Sequence, residues 1–419
     1  MKNLNSNKSL NSNILLNISI WSVSLITSIT GLAISPSLPD IQRHFPKIDK
    51  SEIDMLISLP AFLLIPFVII SGKMAHSKNN LLFIRLGSII FIACAIAYQF
   101  DNDFNYILFV SVLLGLGGGL VVPLAAQLPT RYYSGIALQK QLGICSGVAN
   151  GSQVICTFLA GWLATIDWHY PFWVYSIAVI PLLLSPLLSS RKALAQYIMI
   201  KEKETADVEK KTSINKVGLL LIMFIYFIVM FFNIQIPLNL PFLLSTNGIS
   251  TDISGVLISI FFFVQAISAF LINSTIKFFR YYTMAIAVLI IAVILIFLPL
   301  IHNYILYYIL VSIAGITGGT IEPIVWNKTS HICSHKNSTI AFGWVMSACY
   351  LSVFATPYII SIFSKLFHVN NVSFPFIISG IIAFIFSMFL FIKNRSTIFG
   401  MKNEVLLILE KNNKNNNIL

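Results

Sequence analysis

Long apolar runs separated by short polar segments fill almost the entire chain. An apolar stretch of about 20 residues crosses the hydrocarbon core of a bilayer as a helix, because a helix satisfies its own backbone hydrogen bonds there. The pattern predicts twelve such helices, near residues 14–35, 53–71, 82–100, 104–129, 142–166, 171–189, 216–244, 252–275, 281–301, 303–326, 340–364 and 372–392. We therefore predict an all-α polytopic membrane protein with twelve transmembrane helices.

The second half of the chain repeats the first. Small and helix-bending residues recur 200 positions later, with Gly115, Gly118, Gly119 and Pro123 matched by Gly315, Gly318, Gly319 and Pro323. Six predicted spans per half give both copies the same orientation, so a pseudo-twofold axis along the membrane normal should relate them. We predict six-helix bundles over 14–190 and 216–393, with a leader at 1–13, a linker at 191–215 and a tail at 394–419.

Composition and charge place the protein in a membrane and suggest its orientation. A mean hydropathy of +0.84 with 10% charged residues leaves too little polar surface for a soluble globule of 419 residues. With the N-terminus inside, 23 of the 27 Lys and Arg are cytoplasmic, and only Arg43, Lys47, Lys50 and Lys365 are outside. This asymmetry obeys the positive-inside rule. We predict a multi-pass plasma-membrane protein with both termini cytoplasmic, a basic surface that attracts anionic lipids, and no nucleic-acid partner.

One acidic residue stands inside a predicted span. Of the fifteen Asp and Glu, fourteen fall in loops or beside them, and Glu322 alone lies within an apolar run. A carboxylate in the membrane is unfavourable unless it is paired, hydrated or protonated, so it indicates a functional site. Alternatively, Glu322 lies near the end of its span, where it could reach the cytoplasmic interface or pair with Lys328.

Uncharged polar residues inside the spans could line a binding cavity together with Glu322. They are Gln127, Asn150, Gln153, Asn233, Gln235, Gln265 and Tyr350. A small-molecule site needs a few such hydrogen-bonding groups among apolar walls. Each of them could instead join helices by hydrogen bonding, which is a common use of polar residues in membranes.

Signatures of enzymatic or metal chemistry are weak. His331, Cys333 and His335 give only half of a metal site, because no carboxylate or second cysteine accompanies them. The sequence has no phosphate-binding Gly-x4-Gly-Lys-Ser/Thr motif. We predict no enzymatic activity, no bound metal and no cofactor.

Three segments resemble the major facilitator superfamily, with local likeness to its drug:proton antiporter branch: residues 35–41 (SPSLPDI), Gly115–Pro123, and residues 167–173 (DWHYPFW). The resemblance implies that spans 1, 4, 7 and 10 line the transport path, which favours Gln127, Asn233, Gln235 and Glu322. It also implies a gating turn after span 2, formed by Gly72, Lys73, His76 and Lys78. There, His76 stands where the family has an acid.

The sequence thus predicts a secondary active transporter that works by alternating access. We expect proton-coupled efflux of an amphiphilic compound by a monomer, with a small-molecule substrate, protons and membrane lipids as partners. One alternative is an uptake carrier for a nutrient or an exporter dedicated to one metabolite, such as a chelator. An alternative of another class is a membrane receptor or scaffold that does not transport.

Overall fold

A computed structural model describes residues 14–70, 80–100, 103–133, 135–189, 216–279, 282–332, 338–369 and 371–393. The predicted leader, linker and tail lie outside these ranges, so their bounds stay predictions. The predicted gating-turn residues Gly72, Lys73, His76 and Lys78 also lie outside them, as do Cys333 and His335.

The first half contributes spans α1 to α6. They are α1 Ile14–Ser24, α2 Met55–Ile69, α3 Asn80–Ala97, α4 Phe104–Tyr132, α5 Gly135–Ala164, and α6, which combines the segments Tyr170–Ala178, Val179–Leu184 and Ser185–Ser189. Between α1 and α2 the chain forms a 3-10 turn, Leu32–Ser37, and two short helices, Leu38–His44 and Lys50–Ile53. We call residues 38–54 loop 1, and the end of the bundle that carries them the loop-1 face.

The second half contributes spans α7 to α12. They are α7 Lys216–Thr246, α8 Thr251–Phe270, α9 Thr283–Phe297, α10 Tyr304–His331, α11 Ser338–Phe367 and α12 Phe374–Lys393. A short helix, Ile272–Phe279, follows α8, and a 3-10 turn, Leu298–Leu300, follows α9.

These elements confirm the predicted fold class. Within the described ranges, α4 to α12 are nine helices long and apolar enough to cross a membrane, and the shorter apolar helices α1 to α3 bring the number to twelve. All regular structure assigned in those ranges is helical.

Span 1 differs from its prediction as a continuous run over 14–35. Helix α1 ends at Ser24, and the chain then passes through turns to Gly31, whose φ of 88° is readily reached only by glycine. The break frees backbone groups inside the bundle. The Leu25 carbonyl oxygen accepts a 2.8 Å hydrogen bond from the Ser152 hydroxyl of α5, which replaces a lost helical bond.

Each half has its own apolar core, and two helix pairs join the halves. One core is built mainly from α1 to α6, and the other from α7 to α12. Across the junction, α2 packs on α11 and α5 packs on α8. The repeat places α8 where α2 stands and α11 where α5 stands, so the pseudo-twofold axis exchanges the two contacts. The pairing is that of two repeated bundles in the same orientation.

The α5–α8 contact depends on two glycines. A Cβ atom added to Gly161 would lie 2.6 Å from the Gly255 Cα atom, closer than van der Waals contact allows. Small residues at such crossings let two backbones approach directly, which increases their packing contacts.

We expect Gly161→Ala to reduce the free energy of unfolding by about 1–3 kcal/mol, because the methyl group forces two backbones apart. Thermal unfolding of the purified protein in detergent measures this as a lower Tm. Gly143→Ala is a matched control on α5, since its Cβ atom would meet nothing within 4 Å. Equal Tm values for the two variants would show that the glycine crossing is not a stabilising contact.

Candidate functional site

Glu322 lies well inside a spanning helix. From the helical rise, it is about 27 Å along α10 from Tyr304 and about 14 Å from His331. The sequence predicted that span 10 would end near residue 326, but α10 continues to His331. More than two helical turns therefore separate Glu322 from the end of its helix, which favours the interior position over an interfacial one.

Aromatic side chains from three helices surround Glu322. The Trp326 indole Nε1 donates a hydrogen bond of 3.3 Å to the Glu322 carboxylate Oε1. The Trp326 ring packs edge-on against Tyr226 of α7 and Phe342 of α11, at centroid distances of 6.5 and 5.3 Å. Tyr350 of α11 is close enough to interact electrostatically with Glu322. Two predicted site residues, Glu322 and Tyr350, are thus brought together where α7, α10 and α11 meet.

A second polar group forms around Gly318, one turn before Glu322. A Cβ atom on Gly318 would lie 3.1 Å from the Asn233 Oδ1 and 3.3 Å from the Gln265 Nε2. The structure therefore brings Asn233 of α7 and Gln265 of α8 to the same point on α10. The Asn233 Oδ1 and the Gln265 Oε1 are both buried and have no hydrogen-bond partner among the described residues.

Unpaired buried acceptors indicate where a ligand could bind. A buried polar atom without a partner is unfavourable by about 1–3 kcal/mol, so a bound donor would stabilise this arrangement. The Asn233 side chain is anchored, because its Nδ2 donates to the Val229 carbonyl at 3.0 Å. The two oxygens suit hydroxyl or amine donors of a small molecule.

Gln235 does not join this group. Residues two apart on a helix point to different sides, and Gln235 accepts a 2.8 Å hydrogen bond from the Asn239 Nδ2. The Asn239 Oδ1 in turn accepts a hydrogen bond from the Lys50 ammonium of loop 1. Gln235 therefore belongs to a polar chain that leads along α7 to the loop-1 face.

The remaining predicted residues lie in the first half. The Gln153 Nε2 donates to the Thr157 hydroxyl at 3.0 Å within α5, and its Oε1 is buried without a partner among the described residues. Asn150 is partly buried one turn earlier on α5, and Gln127 is partly buried in α4. These three therefore lie on α4 and α5 of the first half, whereas the Asn233 and Glu322 groups lie on spans of the second half.

The sequence did not reveal a polar junction at the loop-1 face. Asp54 was counted among the loop acids, but only 2% of its surface is exposed. The Lys50 Nζ lies 3.5 Å from the Asp54 Oδ2 and 4.6 Å from the centroid of the Phe242 ring of α7. The only signal in the sequence was the spacing of Lys50 and Asp54, four residues apart.

Two further hydrogen bonds join the halves near this face. The Thr251 hydroxyl of α8 donates to the Asp40 Oδ2 at 2.6 Å, and the Ser35 hydroxyl donates to the Pro237 carbonyl of α7.

Beside these hydrogen bonds, a cleft of about 1050 Å³ is lined by loop 1 and by the ends of α7 and α11. Burial raises the pKa of Asp40, against the opposing effects of its bonds to Thr251 and Arg43.

Repeated helical halves with polar groups at mid-depth define a class of membrane protein, the secondary transporters. A family model described as Major Facilitator Superfamily matches residues 20–232 and 219–398. The chain therefore belongs to the Major Facilitator Superfamily.

Solved structures of other proteins share this fold. The partially occluded inward-open xylose transporter XylE from E. coli has a TM-score of 0.66 and 14% identity, over 90% of this chain and 97% of that one. The inward-open form of XylE has a TM-score of 0.65 and 15% identity, over 95% and 99%. A D-xylose-proton symporter has a TM-score of 0.61 and 16% identity, over 90% and 97%. Comparison with curated proteins finds no match.

Substitutions at the neighbouring glycines Gly318 and Gly319 test ligand binding and helix packing separately. A Cβ atom on Gly318 would press on two amide side chains, whereas one on Gly319 would lie 2.0 Å from the Gln265 backbone oxygen. We expect Gly319→Ala to lower the free energy of unfolding by at least about 2 kcal/mol, and Gly318→Ala by less than about 1 kcal/mol.

Gly318→Ala should nevertheless slow transport in reconstituted vesicles, because it occupies the space between the Asn233 and Gln265 acceptors. Thermal unfolding and flux measured on the same preparations test both statements. Full transport by a stable Gly318→Ala variant would contradict a binding role for this space.

Proposed function

We propose that this member of the superfamily is a proton-coupled carrier in which Glu322 binds and releases the coupling proton. Among the described residues, Glu322 is the only acid more than one turn inside a spanning helix, since Asp252 lies in the first turn of α8. Its hydrogen-bond donor, Trp326, is neutral, so the carboxyl group can exchange its proton when water reaches it. This arrangement around Glu322 is the observation that carries the proposal.

The substrate subsite that we propose lies beside the proton site. Gly318 and Glu322 are about 6 Å apart along α10, so the Asn233 and Gln265 acceptors are close to the carboxyl group. Pro323 lacks a backbone N–H, which leaves the Gly319 carbonyl without its helical donor. Substrate binding and proton release would thus act on the same turn of one helix, which couples them.

Alternating access would occur by rocking of the two halves. The hydrogen bonds from Thr251 and Ser35 hold the halves together near the loop-1 face. Gly143 lies 18 residues, or about five turns, before Gly161 and therefore on the side of α5 that faces α8. Nothing lies within 4 Å of its Cβ position. These contacts support a path that opens away from the loop-1 face, which the charge distribution assigns to the outside.

For direction and substrate, we propose efflux of an amphiphilic compound, supported by the antiporter-like segments at 35–41 and 167–173. The second candidate is uptake of a hydroxyl-rich solute, favoured by the fold shared with a D-xylose-proton symporter and by the unpaired amide oxygens. A plasma-membrane location, cytoplasmic termini and a monomeric state complete the proposal.

Transport in oriented vesicles distinguishes the two candidates. Everted vesicles with an imposed proton gradient should accumulate the amphiphilic cation ethidium if the protein is an efflux antiporter, and a protonophore should abolish the accumulation. Right-side-out vesicles given D-xylose should instead show coupled proton entry if the protein is a symporter. Metabolite profiles of cells that lack or overproduce the protein would identify a different solute. A flux that does not depend on the imposed proton gradient would contradict proton coupling.

We expect Glu322→Gln to abolish proton-driven flux, because the amide cannot carry a proton between the two states. Glu52→Gln is a control with the same chemical change, placed at an exposed loop residue. Its flux should match that of the unmodified protein. Unchanged transport by Glu322→Gln across the pH range would remove Glu322 from the mechanism.

A further inference from the structure

We propose that Asp54 is a second proton-binding residue and that, with Lys50, it forms a latch that couples proton uptake to closure of the loop-1 face. The latch presupposes the alternating access proposed above, but it acts at a different place from Glu322.

The geometry of Asp54 makes its charged form unfavourable. Asp54 directly precedes α2, and the packing of that helix fixes its position. One carboxylate oxygen, Oδ1, is buried without a hydrogen-bond partner among the described residues, and the other is 3.5 Å from the Lys50 ammonium. A carboxylate removed from water with one oxygen unpaired is destabilised, whereas the neutral acid is less affected.

Lys50 connects this acid to the other half. Its ammonium group donates to the Asn239 Oδ1 and lies over the Phe242 ring, and both residues belong to α7. The same ammonium is beside Asp54 of the first half. Opening the loop-1 face would pull Lys50 away from α7 and admit water to Asp54.

The pKa of Asp54 gives the direction of the coupling. Burial raises it from 3.8 to about 6, although Lys50 opposes the shift. In an open face, a hydrated carboxyl group would return towards its ordinary pKa. The closed face therefore holds the proton more tightly, so protonation stabilises closure. This stabilisation is complete below about pH 4 and is lost as the pH rises through about 6.

Other charged groups share the cleft. Arg43 and Asp49 face it from loop 1, and Lys365 and His368 face it from the end of α11. Asp49 and His368 are both exposed and ionisable, so both require controls. Asp40 is turned towards Thr251 and Arg43.

Distances between spin labels across the loop-1 face test the latch. Labels at Lys47 of loop 1 and Leu366 of α11, both exposed, would be attached to a protein whose five native cysteines are replaced. Pulsed EPR in nanodiscs without substrate, between about pH 4 and pH 8, reports the open and closed populations. We expect the short-distance population to grow as the pH falls below about 6 and to level off near pH 4. The closed-to-open ratio should change on the order of a hundredfold.

Variants assign the response to Asp54. Asp54→Asn mimics the protonated acid and should hold the short distance at every pH. Lys50→Gln removes the charge that favours ionisation, so the midpoint should move to higher pH. Asp49→Asn and His368→Gln should follow the unmodified protein.

A distance distribution that does not change with pH in the unmodified protein would overturn the latch. The same midpoint in Asp54→Asn would also overturn it. Glu322→Gln should keep the midpoint, and loss of the response in that variant would assign the titration to Glu322 instead. The distances require no transport, so failure of the latch and failure of the proposed function can be told apart.

Discussion

The exclusion of water from the bilayer core governs this structure, because every polar group there must find its partner within the protein. Long helices meet this requirement for the backbone, because each helix pairs its own N–H and C=O groups. Polar groups that are not paired in this way are therefore informative. At the break after α1, the free Leu25 carbonyl has acquired a donor from Ser152. At Gly318, the Asn233 and Gln265 oxygens have none among the described residues. The first exception is structural, and the second is the subsite that we propose for the substrate.

The duplicated architecture carries unequal chemistry in its two halves. Gly118 and Gly318 occupy equivalent positions, but Gly118 faces Thr30 and Leu64 while Gly318 faces two amides. The repeat likewise places Val122 where the second half has Glu322. The glycines persist in both halves because close helix packing requires them. The unpaired amides at Gly318 and the acid inside a span therefore belong to the second half, although the duplicated helices are alike.

The number of helices and the duplication could be predicted because hydropathy and repeated glycines are local properties of the sequence. Glu322 could be singled out for the same reason. The break after α1 could not be predicted, because its residues are as apolar as those of a continuous helix. The burial of Asp54 was also hidden, because it depends on Asn239 and Phe242, which are distant in the chain. Gln235 is directed along α7 towards loop 1, and it does not join the group around Asn233. This difference depends on how α7 packs, which no local pattern in the sequence encodes.

Helix α11 physically connects the two proposed proton sites. Near its middle, Tyr350 interacts with Glu322, and near its end Lys365 lines the cleft that contains Asp54. The same helix packs on α2, which begins directly after Asp54. If α11 moves as one rigid element with the second half, it would alter both surroundings at once. One rocking motion would then hydrate Asp54 at the loop-1 face and close the surroundings of Glu322. Strict coupling requires that the two proton sites respond to the same motion in opposite ways.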